Sequence, residues 1–235
     1  MPPRTTQKQA EPDVVLVSQD VLSRLKGDIL DGHFAPGARL RFADLQKTYG
    51  AGIGTLREAL SHLLPEGLVE LDVNRGFRVA AISAEDLRDV SALHTEFEQR
   101  AIVASVRHGG DAWESGLVLA FHRQAKIERL SREERKQRSS EWLATHREFH
   151  RALVAACPSR WVLRLRAQMY DHMERYLLVS QRHRPLGPSK RAEHEAIYEA
   201  AMARKAELAG ELLVAHLRET TDTVLRHAPQ FMPPP

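Results

Sequence analysis

Over about seventy residues near the N-terminus, short amphipathic runs alternate with reversals marked by glycine and proline. Val21, Leu22, Leu25, Ile29 and Leu30 lie at helical spacing, and Gly32 ends that helix. Pro36-Gly37 makes a turn, because proline presets φ and glycine accepts the backbone that follows. A short helix over 43–49 carries Leu45 inward, and Gly50 and Gly52 let the chain reverse tightly. The next helix, 54–66, buries Leu56, Ala59, Leu60 and Leu63, while Thr55, Arg57, Glu58, Ser61 and His62 face other ways. Pro65 sits in its last turn and Gly67 closes it. Val69 and Leu71, then Phe77 and Val79, alternate with polar residues around an Asn-Arg-Gly turn, as two strands of a hairpin should. That order of elements is a winged helix-turn-helix, a shape suited to placing one helix in the major groove of double-stranded DNA.

Net charge adds little to that reading. The chain is +3 with a pI near 9.2, and within residues 14–80 eight lysines and arginines stand against eight carboxylates. An electrostatic footprint must therefore come from placement on one face. At 235 residues and 43% hydrophobic content, the chain can hold two domains with real cores. No apolar run approaches roughly 18 residues, so no membrane span is expected, and residues 1–13 lack the apolar stretch of a signal peptide. Cys157 is the only cysteine, which rules out an intrachain disulfide or thiolate cluster and fits the cytoplasm. Residues 1–13 and 228–235 read as disordered tails. Between them, 14–82 forms the winged domain and 83–227 a second, helical one.

From Ser83 onward the pattern is helical throughout. Ser83 to Asp86 has capping-box spacing and opens a long helix to about residue 108, ended by Gly109-Gly110. Further helices are expected over 113–130, 133–156, 161–181, 190–203 and 206–226, with short loops that imply an antiparallel bundle of six or seven helices.

Twelve histidines is a high count, and ten lie in or after this bundle. Four occupy positions where helix faces should be apolar. His146 and His150 share one face of the 133–156 helix, one turn apart, in a stripe with Trp142, Phe149, Leu153 and Cys157. His194 leads Ile197, Tyr198 and Ala201, and His216 extends Leu208 and Leu212. A turn near Arg204-Lys205 would bring His194 and His216 level in an antiparallel hairpin. All four imidazoles can then converge on one point, which suits a borderline divalent metal such as zinc or nickel. A single histidine on an apolar stripe is usually a hydrogen-bonded core residue, but four converging imidazoles would repel when protonated. His33, His62, His108, His122, His183 and His227 read as solvated.

Four sequence blocks resemble the GntR family of bacterial transcription regulators. They are Ile29, Gly32, Pro36, Gly37 and Leu40; then Leu56-Arg57-Glu58-Ala59-Leu60; then Leu64 and Glu66-Gly67-Leu68-Val69; then Arg75-Gly76-Phe77 and Val79. The resemblance implies that Arg57 reaches a base edge, that Arg41, Lys47 and Thr55 contact phosphates, and that Arg75 and Gly76 of the wing approach the minor groove or backbone. Arg57 could instead form an intrahelical ion pair, and Arg75 could be an ordinary exposed turn residue. Relatives often carry Arg or Glu where this chain has Ala43, and Ser-Arg or Thr-Arg where it has Gly52-Ile53, so part of the usual contact set is missing.

The helical part resembles the FCD effector domain of the FadR-like branch, and the pattern that includes HREFH and HGGDAWE is closest to the carbon-starvation-induced repressors. That domain carries Asp-x3-His and two later histidines that bind a metal beside a small carboxylate effector. His150, His194 and His216 match, whereas His146 stands at the aspartate position. An arginine four residues before a glutamate on the first bundle helix often clamps the effector in relatives; here that pair is His94 and Glu98. His172 and Arg175 are further candidates to line the effector cavity.

Three functional classes follow. The first is a metal-assisted, ligand-responsive repressor, working as a homodimer. The second is a DNA-binding regulator whose bundle only dimerises and keeps its histidines as core polar residues. The third, a metallohydrolase, is disfavoured because zincins place glutamate directly after the first histidine, whereas this chain reads His146-Arg147-Glu148-Phe149-His150.

Overall fold

The computed structural model describes residues 12–72, 75–183 and 189–227, in two compact units, Met1–Ile82 and Ser83–Pro235. The expected tails lie outside the described residues, except for Pro12 and Asp13, which already belong to the first helix.

The first unit runs α1 (Pro12–Leu30), β1 (Arg39–Leu40), α2 (Phe42–Tyr49), α3 (Ile53–Leu63), β2 (Val69–Asp72) and β3 (Gly76–Val79). Val21, Leu25 and Ile29 of α1 pack on Leu45 of α2 and on Leu56, Leu60 and Leu63 of α3, with Leu68 and Phe77 closing the same core. Tyr49 donates to Asp28 Oδ2 at 2.5 Å, tying α2 to α1. Gly50 caps α2 in the left-handed conformation, φ 65°, which few other residues adopt without strain. Helix α3 stops at Leu63, earlier than its periodicity suggests: Leu64 still holds helical angles (φ −59°, ψ −53°), Pro65 brings no amide hydrogen to continue the ladder, and the chain turns at Gly67, whose amide bonds the Leu64 carbonyl at 3.0 Å.

The expected two-stranded wing has a third strand. β1 pairs antiparallel with β3, and the sheet order is β1-β3-β2. Two residues are too few to show alternation in a sequence. The strand forms because Leu40 sits opposite Phe77 and backbone bonds join Gly37 and Ala38 to Val79. Across the sheet, Arg78 pairs with Glu70 at 2.6 Å on the exposed face.

Among the described residues the second unit has seven helices: α4 (Ala84–His108), α5 (Asp111–Glu128), α6 (Arg132–Gln137), α7 (Ser139–Leu153), α8 (Arg160–His183), α9 (Arg191–Met202) and α10 (Ala206–His227). The continuous helix expected over 133–156 is broken. Arg138 leaves helical geometry (φ −107°, ψ 31°) and closes α6, a turn opened by a Ser131–Glu134 capping box that buries nothing. Helix α7 then buries Leu143, His146, Phe149, His150 and Leu153. Helix α4 packs against α8 and α10, and α5 against α7 and α9. The α4–α10 approach is close, since a Cβ on Gly210 would meet Val103 Cγ2 at 2.9 Å. Helices α9 and α10 form a hairpin turning at Arg204, whose positive φ of 58° is held by a 2.9 Å bond from its guanidinium to the Val106 carbonyl.

Helix α4 opens on Ser83, whose Oγ accepts from the Asp86 amide at 3.0 Å. The reciprocal arm of the expected capping box is diverted. Tyr176 of α8 donates its hydroxyl to the Asp86 carboxylate and accepts from the Ser83 amide at 3.3 Å. Ser83→Ala should therefore cost about 1 kcal/mol and Ser83→Gly only a few tenths. Urea unfolding of the second unit's transition would show this as a lower midpoint at constant slope, and equal midpoints for all three proteins would refute the cap.

Candidate functional site

Two places bring chemistry-bearing residues together. The first is the surface formed by α2, α3 and the sheet. Of the eight basic residues in 14–80, Arg24, Lys26 and Arg78 are paired with Asp20, Glu66 and Glu70. Among the described residues, Arg39, Arg41, Lys47, Arg57 and Arg75 make no ion pair, and all five are exposed on β1, α2, α3 or the wing. Balanced charge thus resolves into neutralised cations on α1 and β3 and free ones on the helix-turn-helix and wing.

Arg41 stands at the N-cap of α2 and Lys47 in its last turn. Thr55 lies half-buried in the first turn of α3, and Arg57 projects from the exposed face of that helix. Arg57 makes no intrahelical ion pair; its guanidinium lies 5.7 Å from the Phe42 ring, which itself meets Phe77 edge-on at 6.2 Å. Arg75 is exposed, and its carbonyl accepts from Arg39 Nε at 2.9 Å, while Gly76 takes φ 83° to turn the wing. Arg39, Arg75 and Arg78 line a surface depression of about 340 Å³ with Gly37, Asp72 and Phe77. Arg39 was not legible as part of this surface, because only the β1–β3 register sets it beside the wing.

The second place is the interior of the bundle. His146 and His150 come from α7, His194 from α9 and His216 from α10, all buried, with ligand nitrogens within 4.8 Å of one another. Ring centroids stand 4.4 Å apart for His146–His150, 4.6 Å for His194–His216 and 5.4 Å for His150–His216. The hairpin does set His194 and His216 level.

Two carboxylates orient the set. His194 Nδ1 bonds Glu128 at 2.9 Å, and His216 Nδ1 bonds Glu193 at 2.8 Å. Each Nδ1 carries the proton toward its carboxylate, which leaves Nε2 as the free lone pair. His194 Nε2 and both nitrogens of His150 are buried without a hydrogen-bond partner. Burial, and then the neighbouring histidines, push His146 and His150 well below the usual histidine range. Burial likewise lowers His216 to about 4, against the opposing pull of Glu193. Neutral imidazoles with unshared pairs facing one another are the protonation state a cation requires. Glu128 and Glu193 had no motif to announce them, since each reaches its histidine from another helix.

Of the candidate effector residues, His94 is brought to this neighbourhood. Its ring meets Tyr170 of α8 at 5.9 Å, and Tyr170 meets His150 at 6.3 Å. His94 Nε2 contacts Glu98 at 3.2 Å, and Glu98 also accepts from Arg166 Nε at 2.6 Å. Burial would raise the Glu98 carboxyl, but Arg166 and His94 together hold it below the usual range. A cation is thus present beside Glu98, on α8 rather than α4. His172 follows Tyr170 by two residues, roughly 200° around the helix, and is partly exposed. Arg175 is buried beside Tyr176, toward the start of α4. Arg166 and Tyr170 of the same helix stand in the histidine neighbourhood.

A winged helix-turn-helix and a helical bundle with a converging set of buried side chains define a DNA-binding regulator. Residues 17–79 match the bacterial regulatory proteins of the gntR family and residues 89–219 the FCD domain; the chain belongs to the GntR family of transcription regulators. It is 35% identical over 201 residues to the uncharacterised HTH-type transcriptional regulator BphR of Paraburkholderia xenovorans (strain LB400), covering 86% of this chain and 82% of that one. It is 33% identical over 208 residues to the HTH-type transcriptional repressor GlaR of Escherichia coli (strain K12), covering 87% and 94%. Among solved structures it shares a fold with E. coli McbR/YncC, at TM-score 0.76 and 18% identity over 89% of this chain and 97% of that one. No helix among the described residues is long and apolar enough to cross a membrane.

The buried histidines make the bundle acid-sensitive when no metal is bound. His216 titrates near 4 in the folded chain and near 6.5 unfolded, so below pH 6.5 the unfolded state binds more protons and stability falls with pH. His146 and His150 act with the same sign. Chelated protein should therefore melt at progressively lower temperature from about pH 6.5 to about pH 4, with little change from pH 7 to 8 on their account. A melting temperature flat across that acid interval would show that these imidazoles are hydrated.

Proposed function

We propose that this regulator is a repressor whose hold on operator DNA is set by a small carboxylate effector bound beside a divalent metal ion in the bundle. The observation that carries the metal is the set of four buried histidines whose ligand nitrogens lie within 4.8 Å of one another, with both nitrogens of His150 and Nε2 of His194 unpartnered. Left without a ligand, such buried polar groups are costly. Four nitrogen donors suit zinc or nickel. His146 in place of aspartate makes all four donors neutral, so the negative charge near the site comes from Glu128 and Glu193, one bond further out. A bound divalent ion would supply a positive centre for an effector oxygen.

On the DNA side, Arg57 reads a base edge, Arg41, Lys47 and Thr55 hold phosphates, and Arg75 and Gly76 of the wing follow the neighbouring groove or backbone. The free cations of α2, α3 and the wing support this. A homodimer in the cytoplasm would present two such surfaces to a two-fold operator, and the name of the relative GlaR supports repression. The effector must bind the two DNA-binding states with different affinity, since equal binding transmits nothing.

Two measurements test these parts separately. Arg57→Ala should cost about 1–3 kcal/mol on the cognate operator in fluorescence anisotropy, with less discrimination between sequences; equal loss on every sequence would make Arg57 a phosphate contact only. Protein purified without chelator should carry close to one divalent ion per chain by elemental analysis, and His150→Ala should lower both metal content and melting temperature. Metal-free wild type that EDTA leaves unchanged would leave a DNA-binding regulator whose bundle only pairs subunits.

A further inference from the structure

Resting on the docking of α3 in the major groove, we propose that Ile53 reads a thymine by its 5-methyl group, and that Gly52 and Gly54 keep the helix start bare so that the base can come close. Ile53 is the first residue of α3 and is 48% exposed. It is the exposed side chain of that turn, since Gly54 has none, Thr55 is half-buried and Leu56 is buried. Arg57, one helical turn later, lies on the same face. A single exposed isoleucine is ordinary on a protein surface, but the fold does not account for the two glycines beside it. Gly52 has φ −67°, and neither glycine takes a positive φ. A Cβ added at either one would meet nothing within 4 Å. Gly52 gives α3 no side-chain cap, and Gly54 costs helix stability relative to alanine. With no internal reason for either, the bare backbone serves an approach from outside, as glycine does where a ligand comes close to the main chain.

The chemistry of the side chain names the ligand group. Isoleucine carries no side-chain donor or acceptor, so it bonds neither a phosphate nor a base heteroatom. In the major groove the apolar group that a base pair presents is the thymine 5-methyl. Burying that methyl against a branched side chain removes apolar surface of both from water. The N-terminal residues of a recognition helix are the ones that meet base edges, and Ile53 stands among them. At this spacing its Cβ and that of Arg57 are about 5–6 Å apart, while bases along one strand rise about 3.4 Å per step. The thymine therefore lies within about two base pairs of the position that Arg57 contacts. Arg57 selects by donating to a base edge, and Ile53 separates thymine from cytosine by shape and apolarity.

The test uses full-length protein and the duplexes it selects from a random-sequence library. Each thymine of the selected site is replaced in turn by uracil, which pairs alike and lacks only the 5-methyl, and binding is followed by fluorescence anisotropy. One such replacement should weaken wild type about fourfold, the size of one buried methyl. Ile53→Ala should bind the thymine duplex more weakly and no longer distinguish it from the uracil duplex. Ile53→Val keeps a branched apolar side chain and should retain the distinction. Both variants should melt with wild type, because the side chain lies outside the core. Wild type indifferent to every uracil, or an Ile53→Ala protein that keeps the full uracil effect, overturns the inference. Wild type that selects no sequence overturns the docking of α3 on which it rests.

Discussion

Burial of four imidazoles at one point is the constraint around which the bundle is arranged. Each ring taken out of water must stay neutral, find a partner for each nitrogen, or leave a polar atom unsatisfied. The fold meets this from several helices. Helix α5 ends on Glu128 for His194, α9 offers Glu193 to His216 of its hairpin partner, and α8 sets Tyr170 against His146. Phe149, between the two α7 histidines, meets the rings of His150 at 5.7 Å and His194 at 5.4 Å and belongs to the apolar core with Leu153 and Ile197. The polar centre and the apolar core therefore share helices, and substitution at one is felt at the other.

The first unit solves a different problem with an equal balance of charge. Three of its carboxylates engage particular cations, Asp20 with Arg24, Glu66 with Lys26 and Glu70 with Arg78, and the cations left over belong to the elements that a winged helix-turn-helix turns toward DNA. Affinity for a polyanion then depends on which carboxylates are already engaged. Gly52 at the N-cap of α3 fits the same pattern, because it places no side chain over the first amides of that helix.

Much of this was legible in the sequence, for physical reasons. Gly32, Gly50 and Gly67 each mark a reversal that needs positive φ, so they punctuate α1, α2 and the end of α3 as expected. His146 and His150 share a face because a helix repeats at 3.6 residues, and His194 meets His216 because an antiparallel hairpin fixes their level. What stayed hidden depends on contacts between distant segments. β1 exists only through its pairing with β3, the break at Arg138 divides an otherwise helical pattern, and Glu128, Tyr170 and Arg166 reach the centre from helices whose rotation no local pattern specifies. The cation that pairs with Glu98 stayed hidden because Arg166 lies 72 positions after His94, on another helix.

Helix α8 also bears on how an occupied bundle could be sensed. Arg166 and Tyr170 face the buried centre, and Tyr176, further along the same helix, holds both the Ser83 amide and the Asp86 side chain at the start of α4. Any ligand that draws on Arg166 acts on a helix whose other contact fixes the first turn after the DNA-binding unit. Contact at both places does not by itself make a switch; that requires two arrangements of α8 that bind the ligand unequally. Under the proposed function, the unpartnered Arg166 Nη2, Glu98 Oε2 and His94 Nδ1 would supply such an inequality, because an arrangement that completes their bonds would be favoured over one that leaves them buried and bare. The energy for regulation would then come from satisfying polar atoms that the fold alone leaves unsatisfied.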